Sequence, residues 1–463
     1  MKFIAKYKAV FLITLSVILY FIFAYFLERT NFTLLFSLWS GLFVCFYFLL
    51  KDNTIPLQTY VGLTILFRLI FLFTIPNLSQ DFYRFIWDGR MMFQGFNPYL
   101  SLPETFIQQR NFPIHDAVNL YDGMGEMNGS HYTNYPPINQ LCFFITAIFA
   151  SKSIFGSVIV LRTIIILADI GILYFGKKLL EKLQLPIKNI FWFVLNPFVI
   201  IELTGNLHFE SVMLFFFIWA LYQMHQKKWI IGGILLACSV SVKLIPLLFL
   251  PLFYQYFLGN KFQFKKIFTA LYIKNSIRFL AFIVIVLATT LALFLPFFSE
   301  ELVQNYTNSV GLWFKNFEFN ASFYYIFREI GYLFRGYNEI AVIGKILPIL
   351  TILFLCIITL FRNNASTIKM ITAFLFGICF YYFFSTTVHP WYLATPLLLC
   401  VFTKYRFPII WSFVIILSYQ AYANSPWQEN LWFVFLEYIV VFAFLVYELK
   451  KICQAKAHQK SNL

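Results

Sequence analysis

Charge is scarce in this chain. Asp, Glu, Lys and Arg together make up 12% of its 463 residues, about half the usual share, while hydrophobic residues reach 60%. So few charges cannot cover the surface of soluble domains of that size, which excludes a soluble enzyme; disorder, collagen and coiled coil are excluded on the same grounds. Cysteine is sparse too. Cys45, Cys142, Cys238, Cys356, Cys379, Cys400 and Cys453 sit almost entirely inside apolar runs, with no CxxC and no clustering. They read as small core residues, and no disulfide framework, metal site or cofactor is expected. The chain also lacks a fixed-period repeat and any soluble domain with its own core.

Long apolar runs are abundant, recurring from Ala9 to Val446, and Phe occurs 62 times. The bulk solvent of the chain is therefore lipid. A net charge of +15 raises the question of a nucleic-acid partner, and its distribution answers it. With Lys2, Lys6 and Lys8 in the cytoplasm, the cytoplasmic loops collect 23 basic residues against only Asp52, Glu181 and Glu448, a balance of +20 against −5 elsewhere. This is the positive-inside pattern of a membrane protein, so no nucleic acid is expected and membrane lipids are.

Runs bounded by charge or Pro predict an all-α polytopic membrane protein with about fourteen spans and both ends inside. The spans fall near 9–27, 33–50, 56–77, 156–176, 189–204, 209–225, 229–242, 244–258, 278–298, 339–361, 367–386, 391–403, 409–424 and 431–448. The first lacks a small-residue cleavage site and is read as a retained anchor. The run at 137–152 is short, and if it crossed, Lys177, Lys178, Lys182 and Lys188 would all lie outside. It is therefore read as a helix along the outer surface. The expected organisation is an N-terminal two-helix hairpin (1–55), a catalytic membrane module (56–260) with an outer loop at 79–137, a C-terminal module (261–449) with an outer loop at 299–338, and a basic cytoplasmic tail (450–463). The second outer loop is expected to hold short interfacial helices.

The densest chemistry begins where the third span ends, in SQDFYRFIWDGRMMFQGFNPYL at 79–100. Asp81, Arg84 and Asp88 recur at three and four residues, which places them on one helical face, with Arg90 and several aromatic residues nearby. The ordinary reading is an exposed ion-pair network on an interfacial helix. The chemical reading is a carboxylate at the membrane edge with cations for an anionic group. One carboxylate is enough when a sugar is transferred from a lipid phosphate: the leaving group is already good, so the reaction needs a base for the acceptor hydroxyl but no strong general acid. Cations then stabilise the departing phosphate.

The pattern D-x-Y-R-x-x-W-D-G-R at 81–90, G-x-N-P-Y at 95–99 and Y-P-P at 135–137 resembles the polyprenyl-phosphate-mannose-dependent mannosyltransferases of the GT-C superfamily, especially bacterial integral-membrane ones. LNPFVIIEL at 195–203, GNLHFE at 205–210, SVKLIPLLFLP at 241–251 and HPWY at 389–392 fit the same family, so the resemblance covers about 56–400. It implies a GT-C fold, inverting sugar transfer from a polyprenyl-phosphate donor to a glycan or glycolipid acceptor outside the cytoplasm, and Asp81 as the base. Localisation in a bacterial cytoplasmic membrane is implied with it. The matching motif positions Arg84, Trp87, Asp88, Arg90, Asn97, Tyr99 and Tyr135 become candidates for substrate binding. The family often has Asp or Asn where this chain has Glu210.

His208, Glu210, Lys243 and His389 are expected at outer helix ends facing the same cavity. Lys243 has no obvious acidic neighbour in sequence, which favours a phosphate partner over snorkelling; Lys243, His208 and Arg84 are the expected phosphate ligands, and Arg84 and Arg90 the groups that keep Asp81 ionised. Arg68, Arg162, Asp169 and Glu202 lie within spans and read as packing or ion-pair residues. A transporter or flippase of lipid-linked sugars is the rival reading, but it should concentrate ionisable residues near the bilayer midplane and show related halves. A non-enzymatic assembly subunit leaves the Asp81 cluster without a purpose.

Overall fold

The computed structural model describes residues 2–315 and 317–461, with side chains at 7–311 and 317–455; the end of the basic tail lies outside the described side chains. Among the described residues the protein is all-helical without a strand, and Phe319 and Thr387 form an isolated bridge. Six helices are long and apolar enough to cross a membrane: Tyr7–Phe26, Phe32–Lys51, Ile154–Lys182, Ala270–Phe297, Ile340–Leu360 and Leu431–Ala455. A seventh results if the pair Ile187–Val194 and Val199–Gly205, bent by 58°, is one span. The protein is thus a helical membrane protein, and length and composition alone do not reach fourteen spans.

Prolines and polar caps explain why several predicted spans are short or broken. At 187–205 the break falls on Asn196 and Pro197: Pro197 has no N–H to give, and the Asn196 side chain accepts from the Phe198 amide at 3.0 Å while donating to Ser412 Oγ at 3.0 Å. Beyond it the chain winds as a π-helix, Val199–Gly205. Pro246 and Pro251 likewise turn the run Ile245–Phe253 into 3₁₀-helix. Helices shortened in this way end inside the protein, where side chains replace water as partners for their open carbonyls.

Buried arginines supply those partners. Arg162 donates to the carbonyls of Thr74 (2.6 Å), Thr204 (3.0 Å), Gly205 (2.9 Å) and Leu72 (3.2 Å), tying the chain after the helix Leu57–Ile70 to the end of the π-helix. Arg68 pairs with Asp169 at 2.7 Å, and Asp169 also accepts from Thr204 and Ser211. Glu202 accepts from Tyr419 Oη at 2.8 Å. All four spanning polar residues therefore serve packing. The segment 299–338 holds two helices, Glu300–Lys315 and Phe323–Arg335.

Candidate active site

The polar segment after Leu78 folds into three main helices, Asp81–Phe93, Ala117–Gly129 and Pro137–Ala150. Pro136 and Pro137 occupy the N-cap and first turn of the last, where a missing N–H costs nothing. The first and third pack face to face, with Phe85 stacked on Phe143 (centroids 4.7 Å apart, planes at 7°). Gly89 permits that approach: a Cβ there would lie 2.2 Å from the Phe143 carbonyl oxygen. The glycine of the W-D-G-R motif is thus a contact between helices.

One turn away, Arg84 Nε pairs with Asp88 Oδ1 at 2.8 Å, and Gln140 Nε2 donates to Asp88 Oδ2 at 3.0 Å and to Thr133 Oγ1 at 3.0 Å. Arg84 Nη1 donates to the carbonyls of Asn128 (2.6 Å) and His131 (2.9 Å). Arg84 Nη2 is buried with no hydrogen-bond partner. Asp88 therefore fixes the guanidinium and leaves it one spare donor.

Beside this layer lies a cavity of about 550 Å³, lined by Asp81, Arg84 and Tyr135 from the polar segment after Leu78, Glu210 and Lys243 from helix ends, His389, Trp391 and Tyr422 from the C-terminal half, and Arg29 from the N-terminal hairpin. Asp81 is half-buried in the wall and keeps part of its surface open to the cavity. Burial raises its pKa above the usual carboxylate range; Lys243, Arg29 and a hydrogen bond with the Asn128 side chain pull it back down. Lys243 Nζ pairs with Glu210 Oε1 at 2.5 Å. His208, Trp391 and His389 form a stack, with centroids 3.8 Å and 4.6 Å apart. Burial, reinforced by Lys243, pushes the His389 pKa down to about 3 and the His208 pKa well below the usual range, so both rings are neutral at pH 7.

Residues 12–258 match the family described as alpha-(1->6)-mannopyranosyltransferase, N-terminal domain. The match spans more than half of the chain. The protein belongs to this mannosyltransferase family. No curated protein matches it. The resemblance implied by the W-D-G-R and N-P-Y motifs is therefore met at family level, and the enzyme is a glycosyltransferase of the mannosyl class. His389, Trp391 and Tyr422 lie beyond the matched residues, so this mannosyltransferase closes its cavity with a part of the chain that the family match does not reach.

Of the predicted site residues, the fold brings Asp81, Arg84, Tyr135, Glu210, Lys243 and His389 to the cavity wall. It does not bring Trp87, Asp88, Arg90, Asn97, Tyr99 or His208 there. Trp87 is buried beside Phe106. Arg90 lies 3.6 Å from Asp116 and donates to the His115 carbonyl at 2.6 Å. Asn97 Nδ2 donates to the Phe297 carbonyl at 2.9 Å, and Tyr99 Oη to the Tyr135 carbonyl at 2.7 Å. His208 sits behind Trp391, 3.8 Å from Glu202. These residues shape the wall from behind.

Two expectations are corrected. Lys243 does have an acidic neighbour, Glu210, which lies 33 positions away in sequence and so was invisible to a local reading. Arg84 and Arg90 are not the cations that act on Asp81, because Asp88 and Asp116 already occupy them; Lys243 and Arg29 are. Arg29, Asn128 and Tyr422 were missed. Arg29 carried a signal: it stands just past the end of the first long apolar run, as Asp81 stands just past the end of the third.

Proposed function

We propose that the protein catalyses inverting transfer of mannose from a polyprenyl-phosphate donor to a glycan or glycolipid acceptor on the extracytoplasmic face of a bacterial cytoplasmic membrane, with Asp81 as general base. The supporting observation is that, of the two acids on the cavity wall, Asp81 and Glu210, only Asp81 has no cation within ion-pair distance among the described residues. A carboxylate not committed to a salt bridge is open to an incoming hydroxyl.

In this reading Asp81 accepts the proton of the acceptor hydroxyl as its oxygen attacks the anomeric carbon. The bond from that carbon to the phosphate oxygen breaks, and the lipid phosphate leaves with the electron pair. Lys243 and the spare Nη2 of Arg84 face the leaving phosphate, neutral His389 offers a hydrogen bond, and Asp88 and His208 hold Arg84 and Trp391 in place. An α-linked product, as the family's description suggests, requires the donor to be β-linked if the anomeric centre inverts. The reading includes a GT-C architecture of about fourteen spans, with the short apolar helices crossing and both ends inside. A transporter is less well supported, because the polar groups gather where the two outer segments meet.

The test uses purified full-length protein, radiolabelled polyprenyl-phosphate mannose of each anomer and a panel of acceptors. Transfer is expected from the β-anomer alone. Asp81→Asn keeps the shape and removes the basicity, and should lower turnover roughly 10² to 10⁴-fold with donor binding intact. Normal turnover in that variant would overturn the assignment; a dead Asp88→Asn beside an active Asp81→Asn would exchange their roles.

A further inference from the structure

We infer that Arg29, supplied by the N-terminal hairpin, is the principal ligand of an anionic phosphate in the cavity, and that the hairpin is therefore part of the binding site and more than an anchor. The inference rests on the mannosyl-transfer reading above and adds to it a residue and a segment.

The argument begins with charge. Arg84 is neutralised by Asp88 at 2.8 Å and Lys243 by Glu210 at 2.5 Å. Among the described cavity-lining residues Arg29 is the one cation with no acid within ion-pair distance. A guanidinium partly enclosed in protein with no acid in direct contact is incompletely compensated, and an incoming anion supplies the missing contact.

Geometry points the same way. The Arg29 guanidinium carbon lies 3.3 Å over the centre of the Tyr422 ring. Stacking fixes the plane of the group and leaves its N–H donors directed outward in that plane, the arrangement that meets two phosphate oxygens side by side. Arg29 Nε is buried and has no hydrogen-bond partner, so a donor is already desolvated. The preceding residues Tyr25 and Phe26 are exposed, which puts an apolar, lipid-facing surface next to the cation. A phosphate joined to a prenyl chain satisfies both features.

The rival role for Arg29 is a strut that joins the hairpin to the segment Ile415–Ala423 through Tyr422. A strut does not distinguish a charged ligand from a neutral one. Full-length protein in nanodiscs would be titrated with geranyl phosphate, geraniol and inorganic phosphate. Wild type is expected to prefer geranyl phosphate to both others. Arg29→Gln should weaken geranyl phosphate about 30-fold or more and leave geraniol unchanged, and Arg29→Lys, which keeps the charge without the planar fork, should recover part of that loss. If Arg29→Gln does not fold, Arg29→Lys is read alone: a loss confined to geranyl phosphate supports the role, and an equal loss for geraniol overturns it.

Undiminished preference for geranyl phosphate in Arg29→Gln would overturn the role of Arg29 and leave the donor reading standing. If inorganic phosphate bound as tightly as geranyl phosphate, and Arg29→Gln abolished both, Arg29 would remain a phosphate ligand while the lipid-linked donor reading failed. A wild type indifferent between geranyl phosphate and geraniol would overturn both.

Discussion

Asp81 illustrates how position can outweigh sequence neighbours. Arg84 stands three residues away, yet its charge is spent on Asp88, and the cations that lower the Asp81 pKa come from Lys243 and Arg29. Burial still leaves that pKa above the usual carboxylate value. In its proposed role as base Asp81 works only when deprotonated, so kcat/KM should fall on acidification through a pKa higher than that of an ordinary Asp. Lys243→Met removes the strongest lowering influence and leaves Glu210 unpaired nearby, and both changes disfavour ionised Asp81. The acid limb of the pH profile should therefore move to higher pH, and a limb that stayed put would disconnect Lys243 from Asp81. His389, already neutral above about pH 3, supplies no limb near neutrality, so His389→Gln should leave the profile's midpoint unmoved whatever it does to the rate.

The site's precision depends on the contact between the helices Asp81–Phe93 and Pro137–Ala150. Both are short, and neither has a side-chain N-cap, so packing and not intrinsic propensity holds them. Gly89 lies at the closest point, against backbone that cannot swing aside. Gly89→Ala should cost about 1–3 kcal/mol, read as a lower thermal unfolding temperature, and turnover should fall because Asp81 and Arg84 ride on the displaced helix. An Ala variant with wild-type stability would mean that the two helices separate freely. The π-helix Val199–Gly205 is pinned in a comparable way by Arg162, whose donors satisfy the carbonyls of Thr204 and Gly205 that the helix end leaves without an internal partner.

For the whole molecule, the cavity is a meeting place of parts remote in sequence. The segment 299–338 is tied to the turn before His389 by Phe319 N–H to Thr386 O at 3.1 Å and Val388 N–H to Phe319 O at 2.9 Å. It is tied to the segment 79–137 by Asn305 Nδ2 to Tyr99 O at 3.0 Å. The proposed topology places 79–137 outside and 177–188 inside. Single cysteines at Val118 and Lys177, both exposed, should then react with a membrane-impermeant thiol reagent from opposite sides of a sealed vesicle; labelling from one side would break the span count. The comparison requires a background with Cys356 and Cys453, also exposed, replaced.

Composition and charge placement determined that this chain is helical and lives in a membrane, because both follow from transfer free energies that depend on residue type and not on neighbours in space. Local spacing determined that Asp81, Arg84 and Asp88 share a helix, and the motifs pointed to the right family. The pairing of charges was decided by tertiary structure alone. Glu210 meets Lys243 across 33 residues, Tyr422 meets Arg29 across almost the whole chain, and Asp88 rather than Asp81 takes Arg84. Electrostatic interaction falls off with distance through space, and sequence separation carries little information about that distance once helices reverse and pack. The bend in the predicted span at 189–204 has a related reason: the break at Asn196–Pro197 is supported by Ser412, which accepts from the Asn196 side chain, and by Arg68, which donates to the Val194 carbonyl, and nothing local to the break discloses them.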